Sequence, residues 1–272
     1  MSTYSELLET FYATAPNYAV ELPGNWLQGR TAFGGMTSAL LLAAIQHHYP
    51  ELPPLRTMQV NFIGPAAGPL QVTHKLLRQG KNNVTIEARL DSELGAGTYG
   101  YFTFGVNRAI EKTMDYPINL PDTRPEDAEL IVPQAPAPTF LTNFERRKVS
   151  GPDLLSGSDN PDMLLWTRHT DEHARTGLLP LMVLGDAPPA ALAALTQIQA
   201  LSSMNWNINM LSDDISTEDG WWLVRSATRF IRDGYSSQLI QIWNRQGRRI
   251  MDSMQHLAVF SKRSKDRAQI ST

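Results

Sequence analysis

The sequence predicts an α+β protein in which one unit is used twice, each copy a buried helix accompanied by four antiparallel strands. Runs rich in β-branched and aromatic residues recur in two sets of four. One set is Arg56 to Ile63, Leu70 to Leu77, Val84 to Leu90 and Thr98 to Val106. The other is Ser203 to Leu211, Trp221 to Ile231, Ser237 to Asn244 and Ile250 to Phe260. The breaks in the first set, Gly-Pro, Gln-Gly-Lys and Gly-Ala-Gly, are too short for a parallel crossover, so neighbouring strands should run antiparallel. The halves also match residue by residue. Setting Gly80 on Gly234 brings Lys81 onto Tyr235, Ile86 onto Ile240 and Phe104 onto Ala258 without a gap, and Met58 to Phe62 falls on Met204 to Ile208.

In chain order, Ser2 to Tyr12 has the spacing of a short amphipathic helix, and an irregular segment containing Trp26 follows to Arg30. Phe33-Gly34-Gly35 opens a helix, Met36 to Ile45, that is apolar on nearly every side and should therefore be buried; it stops near His48 to Pro50. The first unit spans residues 1–114. Residues 115–138 carry Pro117, Pro121, Pro125, Pro133, Pro136 and Pro138, a run that suits a surface linker. The second unit, 139–264, begins with strand-like Phe140 to Val149 and Met163 to His169, and 265–272 is a tail. Leu184-Gly185-Asp186-Ala187-Pro188-Pro189 then leads into an alanine- and leucine-rich stretch. Proline suits a first helical turn and Asp is a favoured N-cap, so a second buried helix is expected to start there with Asp186 at its mouth. The two sheets should pair edge to edge, each satisfying the other's open strand.

Composition narrows the function. At 272 residues, 42% hydrophobic and 19% charged, the chain has the make-up of a folded globular protein. A net charge of -3 offers no general basic field for nucleic acid or anionic lipid, and the basic stretch Lys262 to Arg267 is expected to be a solvated tail. Without cysteine there is no disulfide framework, thiolate nucleophile or cysteine metal site. No apolar run reaches membrane-spanning length and the first residues lack a signal core, so a soluble cytoplasmic protein is expected, with no membrane partner.

Asp186 alone could be no more than a helix cap. The difference between the copies gives it weight. Where the segment-by-segment match puts Asp186, Ser203 and Gln255 in the second copy, it puts Gly35, Thr57 and Tyr101 in the first. A carboxylate, a hydroxyl and an amide brought together could position one water and take its proton. Bare N–H groups at Gly34 and Gly35 could steady an oxyanion. Other motifs carry less. Gly95 to Gly100 fits a dinucleotide-binding glycine pattern, but a strand follows it, so it is a hairpin turn. His169 and His173 flank Asp171-Glu172 without further spaced ligands and read as a polar loop, His47-His48 suits a helix end, and Trp221, Trp222 and Trp243 read as strand core. No metal and no cofactor is expected.

Phe33-Gly34-Gly35, Trp166-Thr167-Arg168, Leu184-Gly185-Asp186, Ser203-Met204-Asn205 and Met254-Gln255 together resemble the acyl-CoA thioesterases of the double-hotdog type, including the bacterial type II enzymes. The resemblance covers nearly the whole chain. It implies two fused hotdog units and hydrolysis of an acyl-CoA thioester to free acid and CoA. It assigns the catalytic acid, hydroxyl and amide to Asp186, Ser203 and Gln255, and it implies association into a dimer or larger homo-oligomer. Asn205 and Leu211-Ser212-Asp213 depart from the family's acidic residue and basic strand end, which bears on acyl and CoA specificity more than on chemistry. Two alternatives stand beside it: a silent acyl-CoA-binding scaffold, and an enoyl-CoA hydratase, whose Asp and His pair finds no His at either helix mouth.

Overall fold

Alternation of apolar and polar residues folds the chain into one large sheet curled around two central helices. The computed structural model describes residues 1–115, 118–133, 137–186 and 189–260; the basic stretch 262–267, the tail 265–272, Pro117, Pro136 and Pro188 lie outside the described residues. α1 (Tyr4–Ala13) starts on a capping box formed by Thr3 and Glu6 and lays Tyr4, Leu7 and Phe11 on the core. β1 (Ala19–Glu21) and the small hairpin of β2 (Leu27–Gln28) and β3 (Thr31–Ala32) lead into α2 (Gly34–His48). Every residue of α2 from Gly35 to Ile45 is buried, as expected of a helix with no polar face. Around it pack β4 (Leu55–Phe62), β5 (Pro69–Gln79), β6 (Asn83–Ser92) and β7 (Gly95–Gly105). The second half contributes β8 (Glu129–Leu130), β9 (Phe144–Ser150), β10 (Asp162–His169), α3 (Leu178–Gly185), β11 (Ala200–Met210), β12 (Trp222–Arg232), β13 (Tyr235–Asn244) and β14 (Arg249–Phe260).

Twelve of these strands form a single sheet in the order β1-β5-β6-β7-β4-β11-β14-β13-β12-β10-β9-β8, and neighbours pair antiparallel throughout. The two halves join where β4 pairs with β11, from Asn61 opposite Asn205 to Thr57 opposite Asn209. Val60 lies opposite Trp206, its own counterpart in the repeat. Pairing a residue with its counterpart is what a local two-fold axis requires, so duplication and edge-to-edge joining are the same geometric fact. The linker is more than a strap. Glu129–Leu130 adds an edge strand to β9. Ahead of it, Thr123 accepts from the Trp166 indole at 3.0 Å, and Ala128 helps cover a cluster of Trp166, Trp221, Leu223 and Trp243. Trp222 instead belongs to the main core.

Two elements of the second half differ from the sequence expectation. The strand expected from Phe140 starts at Phe144, after a 3₁₀ turn over Thr139–Asn143, and the central helix is displaced. The second central helix precedes Asp186 rather than following it: α3 is Leu178–Gly185, and beyond the prolines only a 3₁₀ turn forms, Ala190–Leu192. Pro180 is tolerated because it sits in the first turn of α3, where its missing N–H has no intrahelical partner. Asp186 is therefore the C-cap of α3, not an N-cap.

Candidate active site

α2 begins where α3 ends. The contact needs both glycines at the start of α2. A Cβ on Gly35 would lie 2.6 Å from the Val183 carbonyl of α3, and one on Gly34 would lie 2.9 Å from Oδ2 of Asp186. With no side chain between them, the Asp186 carboxylate lies against the first turn of α2, where the Gly35 N–H helps pull its pKa down. Asp186 thus sits at the start of the other unit's helix, whose own N-cap, Phe33, supplies no side-chain acceptor. The Gly35 N–H, expected to face an oxyanion, lies beside this acid.

The other two residues come from the sheet. Gln255 on β14 is buried and donates from Nε2 to Asp186 Oδ1 at 2.7 Å and to Ser203 Oγ at 3.1 Å. All three expected side chains thus meet through one amide. Ser203 reaches the inner face only because β11 bulges between Ser203 and Asn205. Trp206 and Ile208 point inward, so strict alternation would turn Ser203 out with Asn205; the bulge exposes Met204 and brings Ser203 in. Its oxygen accepts from Gln255, which leaves its own hydrogen free to donate. Ser203 borders a cleft of about 110 Å³ between the two units, with Gly34, Thr37, Phe62 and Thr98 on the first-unit side.

Burial pushes the Asp186 carboxyl up to about 6, against the hydrogen bonds of Gln255 and Gly35 that pull it down. Such an acid is ionised at neutral pH yet basic enough to accept a proton from water.

Two superpositions from the sequence do not hold in space. Asp186 ends its helix whereas Gly35 begins its own, so they are neighbours across the site and not equivalents. The residue facing Val60 is Gly100, as Gln255 faces Trp206, so Gly100 is the counterpart of Gln255. Tyr101 is 46% exposed on the outer surface. A slip of one residue moves a side chain to the opposite face, and the gap-free superposition contains one. Thr57, the counterpart of Ser203, donates to the Ile208 carbonyl at 2.7 Å across the junction of the halves. His169 is not in a polar loop: it is 1% exposed at the end of β10, bonds the Pro180 carbonyl at 2.9 Å, and burial pushes its pKa down to about 4. Among the described residues no cluster of three or more His, Cys, Asp or Glu could hold a metal.

The sequence reading missed Gln238 on β13. It is fully buried and donates from Nε2 to Gln255 Oε1 at 2.8 Å. The available signal was parity. Gln238 shares a face with Ile240 and Ile242, where another apolar residue would be expected.

Comparison with known proteins agrees with this architecture. Among the solved structures it is similar to are a protein of unknown function with a hot dog fold from Alicyclobacillus acidocaldarius (TM-score 0.81, 17% identity, 96% of this chain and 100% of that one), and an acyl-CoA thioesterase II, TesB2, from Mycobacterium marinum (TM-score 0.67, 15% identity, 94% and 99%). A tesB protein from Mycobacterium avium subs paratuberculosis aligns with TM-score 0.69 at 14% identity over 93% of this chain and 100% of its own. At such identities the likeness is one of fold, two hotdog units in one chain. No curated protein matches. No helix among the described residues is long and apolar enough to cross a membrane. The family models are more specific: the acyl-CoA thioesterase N-terminal domain matches residues 22–105 and the C-terminal domain residues 119–259. The chain belongs to the acyl-CoA thioesterase family.

Proposed function

We propose that this protein hydrolyses an acyl-CoA thioester with a water molecule activated by Asp186. The observation that carries the reading is the buried carboxylate held at 2.7 Å by Gln255, whose other N–H holds the Ser203 hydroxyl at the edge of an inter-unit cleft. Water in the cleft gives a proton to Asp186 as its oxygen bonds the thioester carbon. The Ser203 hydroxyl donates to the carbonyl oxygen as negative charge gathers there. The tetrahedral intermediate then collapses, the carbon–sulfur bond breaks, and the proton on Asp186 passes to the departing CoA sulfur. The products are a carboxylic acid and CoA thiol, and Asp186 returns to its starting state. Gln255 orients the acid and the hydroxyl, while Gly34 and Gly35 keep the first turn of α2 against the acid.

The test is thiol release from a panel of acyl-CoAs that differ in chain length and branching, with the acid product measured in parallel. Thiol and free acid in equal amounts from at least one thioester are expected. Water addition to an enoyl-CoA without thiol release, or binding with no turnover on any member, would overturn the reading.

A further inference from the structure

We propose that Gln238 is a positioning residue of this site, fixing which end of the Gln255 amide faces Asp186; the claim rests on the hydrolytic reading above for its consequence in turnover. A glutamine amide presents an acceptor at one end and two donors at the other, and half a turn exchanges them. An ionised carboxylate only accepts, so Gln255 is useful to Asp186 with its NH₂ turned inward and harmful with its oxygen there. Nothing within Gln255 selects between these. Gln238 does. It lies directly across the β13–β14 ladder from Gln255 and donates from Nε2 to Oε1 at 2.8 Å. A half-turn of Gln255 would set two NH₂ groups against each other at that contact and an oxygen against the Asp186 carboxylate at the other.

Gln238 is also an expensive residue for a merely structural place. It is fully buried, and its own Oε1 has no partner among the described residues. A methionine or leucine would remove that unpaired acceptor but strip the buried Gln255 Oε1 of its donor instead. The arrangement makes sense if the Nε2 donor is what the position requires.

The groups packed on Asp186 sharpen the consequence. α2 brings Gly34 and the Gly35 N–H, β4 brings Phe62 beside Gly34, β14 brings Gln255, which also holds Ser203 of β11, and Trp206 and Met251 pack on the adjoining Gly185. None of these titrates, and among the described residues no charged side chain acts on the acid. Only the hydrogen bonds of Gly35 and Gln255 oppose its burial, so disordering Gln255 must show directly in the ionisation of Asp186.

The experiment compares the full chain with Gln238→Met and Gln238→Leu, two variants in case one packs badly. It follows the Asp186 carboxyl by ¹³C NMR titration and kcat and KM against pH. Expected are an upward move of the Asp186 midpoint by roughly one pH unit, a tenfold change in its ionisation constant, a matching shift of the acid limb of kcat/KM, and little change in KM at neutral pH. A structural role alone would lower the melting temperature and leave the midpoint where it was. Folded variants that titrate like the parent overturn the proposal. Should the parent release no thiol from any acyl-CoA, the hydrolytic reading falls, and the NMR midpoint still decides the role of Gln238.

Discussion

At the site the two halves of the molecule meet with opposite ends of their central helices. α2 opens there with two glycines and no capping side chain, and α3 closes there with an acid. Each half lacks what the other brings. The first unit offers a bare helix N-terminus, with N–H groups seeking an acceptor, and the second offers a carboxylate that burial would otherwise leave poorly compensated. The sheet repeats the contrast on either side of the local axis, with Gly100 facing Val60 in one half and Gln255 facing Trp206 in the other. Duplication supplied two similar frames, and the chemistry lies in the positions where they stopped being similar.

The most severe way to break this contrast is to remove the acid. Asp186→Asn should slow thiol release about 100- to 1000-fold, measured at saturating acyl-CoA near neutral pH. The same change should stabilise the fold. An acid whose pKa is raised from 3.8 to about 6 on folding loses stability as pH rises through that range, because the folded state holds the proton more tightly. Chemical denaturation should therefore find the variant more stable than the parent by up to about 3 kcal/mol at pH well above 6, with the gain gone below pH 3.8. Equal stability at every pH would contradict the burial assigned to this carboxylate.

Filling the gap between the halves is the next largest perturbation. A methyl at Gly34 meets Asp186 Oδ2 at 2.9 Å and the Phe62 ring at 3.0 Å, so Gly34→Ala must displace the acid or the ring. A kcat loss of at least roughly tenfold is expected, since a misplacement of about 1 Å is enough for that. Unchanged kcat in a folded Gly34→Ala protein would separate the first unit from the chemistry. The smallest effect belongs to the position that the linear superposition favoured. Tyr101→Phe alters only an exposed outer-face hydroxyl and should leave kcat, KM and melting temperature at parent values.

The sequence was legible where each local preference agreed with its surroundings. Ile86, Ala88 and Leu90 alternate as a half-buried strand must, and β6 forms around them; α2 has no polar face and is wrapped on all sides. α3 was hidden because Leu-Leu-Pro-Leu-Met-Val-Leu-Gly is apolar throughout, and a run without polar residues shows no period to tell a helix from a buried strand. The prolines after Asp186 then offered a false helix start. Asp186, Ser203 and Gln255 could be named, but the contacts among them depend on facts a linear match does not contain. These are the bulge that turns Ser203 inward, the one-residue offset that puts Gly100 opposite Val60, and the docking of one unit's helix on the other's acid. Gln238 stayed invisible because a polar residue on a strand reads as solvent-facing until the inner face of that strand is known.

The claim that the second unit's acid, packed on the first unit's helix, is the base in hydrolysis is tested most directly by kcat/KM for acyl-CoA hydrolysis as a function of pH. The parent should lose activity on acidification with a half-point near pH 6, where Asp186 takes up its proton. A rate that stays flat through that region, down to the ordinary carboxylate range, would contradict the account.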